Sequence, residues 1–126
     1  MAFYLGIDIG TSASKGVLID DRCDIVCQAS CGHETDNPCD GWYQHDAEAV
    51  WWGDFCRLSR ELVAQSGVNA AQIGCVGLSA LGCDCVPVDT ECNALAPAIL
   101  YGVDARSKPQ IDELLFEYGS DRAREL

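Results

Sequence analysis

The apolar residues of this chain fall into short runs punctuated by small and polar ones. Phe3-Tyr4-Leu5-Gly6-Ile7-Asp8-Ile9 is bulky and weakly alternating, which predicts a buried strand over 3–9. Gly10 to Ser14 is a small-residue turn, Lys15 to Asp20 predicts a second strand, and a third follows Asp21-Arg22 over 24–31. Strands joined by such tight turns make an antiparallel meander. Residues 32–45 are polar, carry Asn37, Pro38 and Asp40, and read as a loop. Asp46 then caps a helix with Glu48 in its first turn, Trp51, Phe55, Leu58 and Leu62 form one apolar stripe, and Gly67 ends it. Ile73 to Ser79 predicts a strand, and 84–88 a further one after a break at Gly82; Asp89 to Asn93 is a turn, and Pro97 to Leu100 leads into a loop. Ser107 and Pro109 open a last helix, with Ile111, Leu114, Leu115 and Tyr118 on its apolar face and Gly119 closing it. The order β-β-β-α-β-β-α implies an α/β fold with a mixed sheet, in which the strand near 73–79 lies parallel to the first.

The 126 residues suffice for one domain with a core. A hydrophobic share of 48% against 22% charged places the chain among globular rather than disordered sequences. The net charge of -12 argues against a nucleic-acid surface, which needs clustered Lys and Arg. The first residues carry no basic segment, and no apolar run approaches the ~20 residues of a membrane span, so the expected location is the cytoplasm. Nine cysteines include no Cys-x-x-Cys pair, and His33 and His45 complete no zinc spacing. An odd count argues against a disulfide framework, and most of these thiols are expected to be small buried hydrophobes. Cys83 and Cys85 flank a candidate site. The charged stretch Ser120 to Leu126 reads as a cut inside a larger domain.

The sharpest chemistry lies in Gly6-Ile7-Asp8-Ile9-Gly10-Thr11-Ser12-Ala13-Ser14-Lys15. Backbone N–H groups of a Gly/Ser/Thr turn converge on anions, and the hydroxyls add donors. The Asp8 carboxylate can hold Mg²⁺ and Lys15 can neutralise phosphate charge. The spacing is not that of a Walker loop. An ordinary hairpin with a Gly/Ser-rich turn fits equally well on spacing. An Asp buried at a strand end without a partner would be costly, which favours a site.

Four stretches in order resemble the FGGY carbohydrate kinase family. Asp8-x-Gly10-Thr11-Ser12 with Lys15 resembles its first phosphate motif and that of the wider actin-like ATPases. Trp42-Tyr43-Gln44-His45-Asp46-Ala47-Glu48, then Trp51-Trp52, resembles its Trp-x-Glu-Gln-Asp-Pro-Glu and tandem-Trp segment. Ile73 to Ser79 resembles the strand leading to the sugar pocket, and Leu95 to Tyr101 with Asp104-Ala105-Arg106 resembles a block of xylulokinase-like members. The resemblance implies a ribonuclease-H-like, actin-like fold and ATP-dependent phosphorylation of a sugar or polyol hydroxyl, with ATP and Mg²⁺ as cofactors. It implies nucleotide contacts at Asp8, Gly10, Thr11, Ser12, Ala13 and Lys15, with Asp8 toward the metal. Substrate contacts are expected at Ala80, Leu81, Gly82, Cys83 and Asp104.

The chain departs from the family too. Where xylulokinases place a Met and a His that touch the sugar, this chain has Gly82 and Cys83, and the Arg-Glu pair of glycerol kinases is likewise missing. Asp84 could supply a replacement acceptor. Asp104 and Arg106 fit either an ion pair shaping the pocket loop or direct sugar contact. Trp42 is the tryptophan expected nearest the cleft, and His45 is expected to be a loop residue rather than a base. The family's catalytic Asp and adenine-holding domain are expected beyond Leu126, so residues 1–126 read as the N-terminal part of the family's N-terminal domain, inactive alone. A small-molecule sugar or polyol is the expected partner, with a homodimer also possible and neither nucleic acid nor membrane involved. A non-catalytic actin-like or ROK-like sensor domain, or a structural domain without ligand, remains the alternative.

Overall fold

The computed structural model describes residues 2–120. The charged stretch beyond Ser120, on which the reading of a cut rests, lies outside the described residues. A four-stranded sheet carries the fold: β1 (Phe3–Ile9), β2 (Ala13–Asp20), β3 (Ile25–Gly32) and β5 (Ile73–Ser79), in the order β3-β2-β1-β5. β1 pairs antiparallel with β2, β2 antiparallel with β3, and β5 runs parallel to β1, as the meander and crossover reasoning requires.

Strand parity sets the core. Phe3, Leu5, Ile7 and Ile9 of β1 and Leu18 of β2 point to one face, where they meet Leu58 and Leu62 of α1 (Gly53–Ser66). Gly16 lies on that same face, and a Cβ there would stand 2.7 Å from a Leu62 methyl and 2.9 Å from an Ile7 methyl. The missing side chain is what lets the helix sit this close to the sheet. Asp46 accepts a hydrogen bond from the Ala49 amide, a π-helical turn over Ala47–Trp52 leads into α1, and Gly67 closes it at φ 66°. β5 forms one edge of the sheet, and Gly74 through Ser79 are exposed.

Three expectations are corrected. Residues 84–88 do not form a strand; only Cys85 and Val88 make isolated bridges, to Ile99 and Ala94. Pro87 withholds a donor in mid-run, and Cys83 at φ 64° bends the chain just before it. The ladder that does form joins β4 (Gln44–His45) to β6 (Ala98–Ile99), two segments read as loop. The cysteines are not mostly buried: Cys31 is, Cys27 and Cys56 are half-buried, and Cys23, Cys39, Cys75, Cys83, Cys85 and Cys92 are exposed free thiols. Cys23 and Cys92 sit in turns at positive φ, and Cys75 lies on the open part of β5, so none of the three can reach the core. The last helix, α2 (Lys108–Tyr118), forms as expected behind Ser107 and Pro109, but its apolar face of Ile111, Leu114, Leu115 and Tyr118 is exposed, as is Phe116.

Candidate functional site

Asp8 is not buried. The parity that sends Ile7 and Ile9 into the core sends Asp8 to the opposite face, so desolvation cost is no argument for a site there. Its neighbours supply a better one. The β1–β2 register sets Asp8 directly against Lys15, and the β1–β5 register sets it against Ser79. All three line an open hollow of about 880 Å³, together with Gly6, Val17, Gly77, Gln28 and Ser30. A carboxylate, an ammonium and two hydroxyls thus line one hollow, which Gly6 and Gly77 keep open.

At the end of β1 the chain turns through Gly10, Thr11 and Ser12. The Gly10 amide bonds to Ala13 O at 3.2 Å, and a Cβ on residue 10 would stand 2.7 Å from that same oxygen. Glycine is required here for room.

Beneath this turn lies a polar network that sequence reasoning missed. Asp54, in the first turn of α1, accepts from Ser14 Oγ at 2.7 Å and from His33 Nδ1 at 2.8 Å. The other ring nitrogen, His33 Nε2, lies 3.1 Å from Gly10 O, a bond it donates when the ring carries both protons, and the His33 amide donates to Ser12 O at 3.1 Å. Burial works against the Asp54 charge, but hydrogen bonds from Ser14, His33 and the Cys31 thiol outweigh it and hold the Asp54 pKa below its ordinary value. Burial beside that carboxylate pushes the Cys31 thiol up to about 11.

A second chain of bonds runs alongside. Trp51 Nε1 can only donate, and it lies 3.0 Å from His45 Nδ1. His45 therefore carries its proton on Nε2, which donates to Thr35 Oγ1 at 3.2 Å, and Thr35 Oγ1 donates to Thr11 O at 3.2 Å. His45 is fully buried in β4 rather than a loop residue, and desolvation, aided by the nearby His33, lowers its pKa. The two histidine rings meet edge to face at 5.0 Å. A signal for Asp54 was present in the sequence: it falls on the apolar stripe of α1, three residues after Trp51, and faces Ser14 at an inward position of β2.

The expected substrate residues scatter. Ala80, Leu81, Gly82 and Cys83 follow the end of β5 but do not line the hollow. Asp84 Oδ1 accepts from the Tyr101 amide at 2.7 Å, while its Oδ2 is buried without a partner. Asp104 is largely engaged within the chain, accepting from the Tyr43 amide at 2.7 Å and from Arg106 Nε at 2.9 Å. The Arg106 guanidinium also stacks 4.3 Å from the Trp42 ring centroid, and its hydrogen bonds to Asp104 are the main reason the Asp104 pKa falls to about 2. Arg106 Nη2 also donates to Gln44 Oε1 at 3.2 Å, so Trp42, Gln44, Asp104 and Arg106 tie the segment entering β4 to the loop after β6.

No group of three or more His, Cys, Asp or Glu that could hold an ion occurs among the described residues. Mg²⁺ keeps several waters and substrate phosphates and needs only one or two carboxylates. The exposed Asp8 beside Lys15 fits that role.

Residues 3–125 match the model of the FGGY family of carbohydrate kinases, N-terminal domain. A glycerol kinase from Trichormus variabilis is 28% identical over 89% of this chain, which covers 22% of that protein. The structure of a "xyloylose kinase" from Brucella ovis superposes with a TM-score of 0.80 and 31% identity, over 91% of this chain and 24% of the other. A Plasmodium falciparum glycerol kinase, solved with ADP, shares the fold at a TM-score of 0.78 and 24% identity, over 94% of this chain and 24% of its own. The chain thus spans about a quarter of the length of these kinases. With a matching family model along nearly its whole length and an actin-like mixed sheet, the chain belongs to the FGGY family of carbohydrate kinases.

Proposed function

We propose that this chain is the phosphate-binding part of a longer ATP-dependent kinase that phosphorylates a hydroxyl of a sugar or polyol. The observation that carries this reading is the facing of Asp8 and Lys15 across neighbouring strands, beside a turn too tight for a side chain at Gly10. When bound, ATP and Mg²⁺ supply the transferable phosphoryl group and much of the charge neutralisation. Asp8 orients the metal, Lys15 offsets phosphate charge, and Gly10, Thr11, Ser12 and Ala13 offer backbone and hydroxyl donors. The general base lies outside these residues, so the 126-residue chain alone has no kinase activity. The acceptor binds near Ala80 to Cys83, and Asp104 serves it by holding the Tyr43 and Arg106 loops in place. The proposed location is the cytoplasm; no described helix is long and apolar enough to cross a membrane.

Gly82 and Cys83 remove volume and a donor where xylulokinase-like members are expected to carry Met and His. A site lacking a polar partner discriminates poorly for the hydroxyl it would have met. D-xylulose is therefore a poor substrate, and a different sugar or polyol is preferred. The test is a panel of pentuloses, hexuloses and polyols offered to the intact protein with ATP and Mg²⁺, with ADP release as readout. A best substrate other than D-xylulose is the expected result. ATP binding without turnover on any acceptor would favour a sensor over a kinase.

A further inference from the structure

The two hydrogen-bond chains beneath the β1–β2 turn end on consecutive carbonyl oxygens. His33 Nε2 holds Gly10 O, and Thr35 Oγ1 holds Thr11 O. A trans peptide points its C=O and the following N–H in opposite directions, and no described peptide bond is cis. Drawing the Gly10 and Thr11 carbonyls toward the histidine side therefore turns the Thr11 and Ser12 N–H groups away from it. The orientation of those two donors is set by side chains that never touch what the donors bind.

Resting on the kinase reading above, we propose that His33 is a positioning residue for the nucleotide's phosphate groups, acting through Gly10 O, with Thr35 acting in parallel through Thr11 O. His33 is suited to this because it bridges three elements. Its ring ties the turn to Asp54 of α1, and its own amide ties the end of β3 to Ser12. Asp54 in turn takes Ser14 Oγ, so the entry to β2 hangs from the same carboxylate. Thr35 is held in its donating direction by His45, whose tautomer the donor-only Trp51 fixes. A turn so hung offers its amides without reorganising at the moment of binding, which is where a preformed anion site gains over a flexible loop. No group in either chain contacts the hollow that holds Asp8 and Lys15, so neither histidine acts on the reacting atoms.

The experiment uses the intact protein and compares wild type with His33→Ala and Thr35→Val. His33→Ala is expected to raise the KM for ATP by about tenfold while the KM for the sugar or polyol stays within about twofold, and Thr35→Val to shift the ATP KM in the same direction by less. A purely structural role would lower Tm and leave the ratio of the two KM values unchanged, and that result overturns the proposal. Where His33→Ala yields no folded protein, Thr35→Val decides by the same ratio. Amide hydrogen exchange gives a readout independent of catalysis. Faster exchange at Gly10 and at residue 33 in His33→Ala, with the amides of α1 unchanged, supports the proposal, and unchanged exchange at both overturns it. Absence of turnover in wild type on every acceptor sinks the kinase reading alone, and the exchange data then decide whether His33 holds the turn.

Discussion

Replacing Gly10 by alanine puts the tightest point of the site under a known load. The added Cβ would sit 2.7 Å from Ala13 O, where ordinary contact begins near 3.4 Å, so the turn must open by about 0.7 Å. The obstacle is backbone, and no side-chain rotation relieves it. Opening the turn stretches the 3.2 Å bond from the Gly10 amide to that same oxygen, whose loss costs about 1 kcal/mol. Overpacking strain adds roughly 1–3 kcal/mol, and the lower unfolded-state entropy of alanine returns about 0.4–1 kcal/mol. The net expectation is a loss of about 2 kcal/mol of stability, which denaturant titration of the intact protein resolves as a lower midpoint at constant slope. The same displacement moves Gly10 O away from His33, so the KM for ATP should rise by about tenfold or more. Gly74→Ala is the control: its Cβ would meet nothing closer than 3.9 Å, so neither quantity should move by a comparable amount. Unchanged stability and ATP KM in Gly10→Ala would refute the claim that this turn has no room to spare.

Asp8→Asn should leave the fold intact and lower kcat by roughly 10²-fold, read by steady-state kinetics of the intact protein with Mg²⁺ varied. Cys23 and Cys92 occupy equivalent positions, at φ 67° and 65°, in two turns where Asp20 and Asp89 cap the same backbone amides, so glycine at either site should stabilise by about 0.5–1 kcal/mol in denaturant titration. Asp54 and Asp104 have folded pKa values below their ordinary ones, so the stability they contribute is complete above about pH 4 and drains as pH falls toward the Asp104 value of about 2, a decline that acid titration by circular dichroism follows. His45 works in the same direction at higher pH. Its folded pKa lies below 6.5, the unfolded chain takes up the extra proton, and Tm should fall between pH 7 and pH 5 with a shallower slope in His45→Gln.

The parts of the fold legible in the sequence were those fixed by local period. The meander, the capped helix with Leu58 and Leu62 inward, and the parallel return of β5 follow from alternation, turn residues and the handedness of crossovers. The ladder of Gln44–His45 with Ala98–Ile99 was not legible, because two residues set no period and their partners lie more than fifty positions away. Asp8 was placed in the right motif on the wrong face: a run of apolar letters suggested burial on both sides, whereas the small Gly6 and Gly77 leave that side of the sheet open. Of the site, the turn and its Asp–Lys pair could be read directly. Its support could not, since Ser14, His33 and Asp54 are ordinary residues until the sheet and helix bring them within 3 Å.

The position of β5 at the sheet edge has a practical consequence for handling the chain. Its outer backbone row is a template for another strand, and natural edges are usually blunted by a lysine, a proline or a bulge. Ile73-Gly74-Cys75-Val76-Gly77-Leu78-Ser79 carries no charge and no proline, its irregularity in register falls at Gly74 near its start, and Val76 and Leu78 beyond it are 48% and 62% exposed. Expressed by itself, the 126-residue chain is therefore prone to edge-to-edge aggregation, with the exposed Cys75 thiol at hand to lock such contacts under oxidising conditions. A charged substitution at Val76 and a reducing buffer should improve its solubility more than any change within the core.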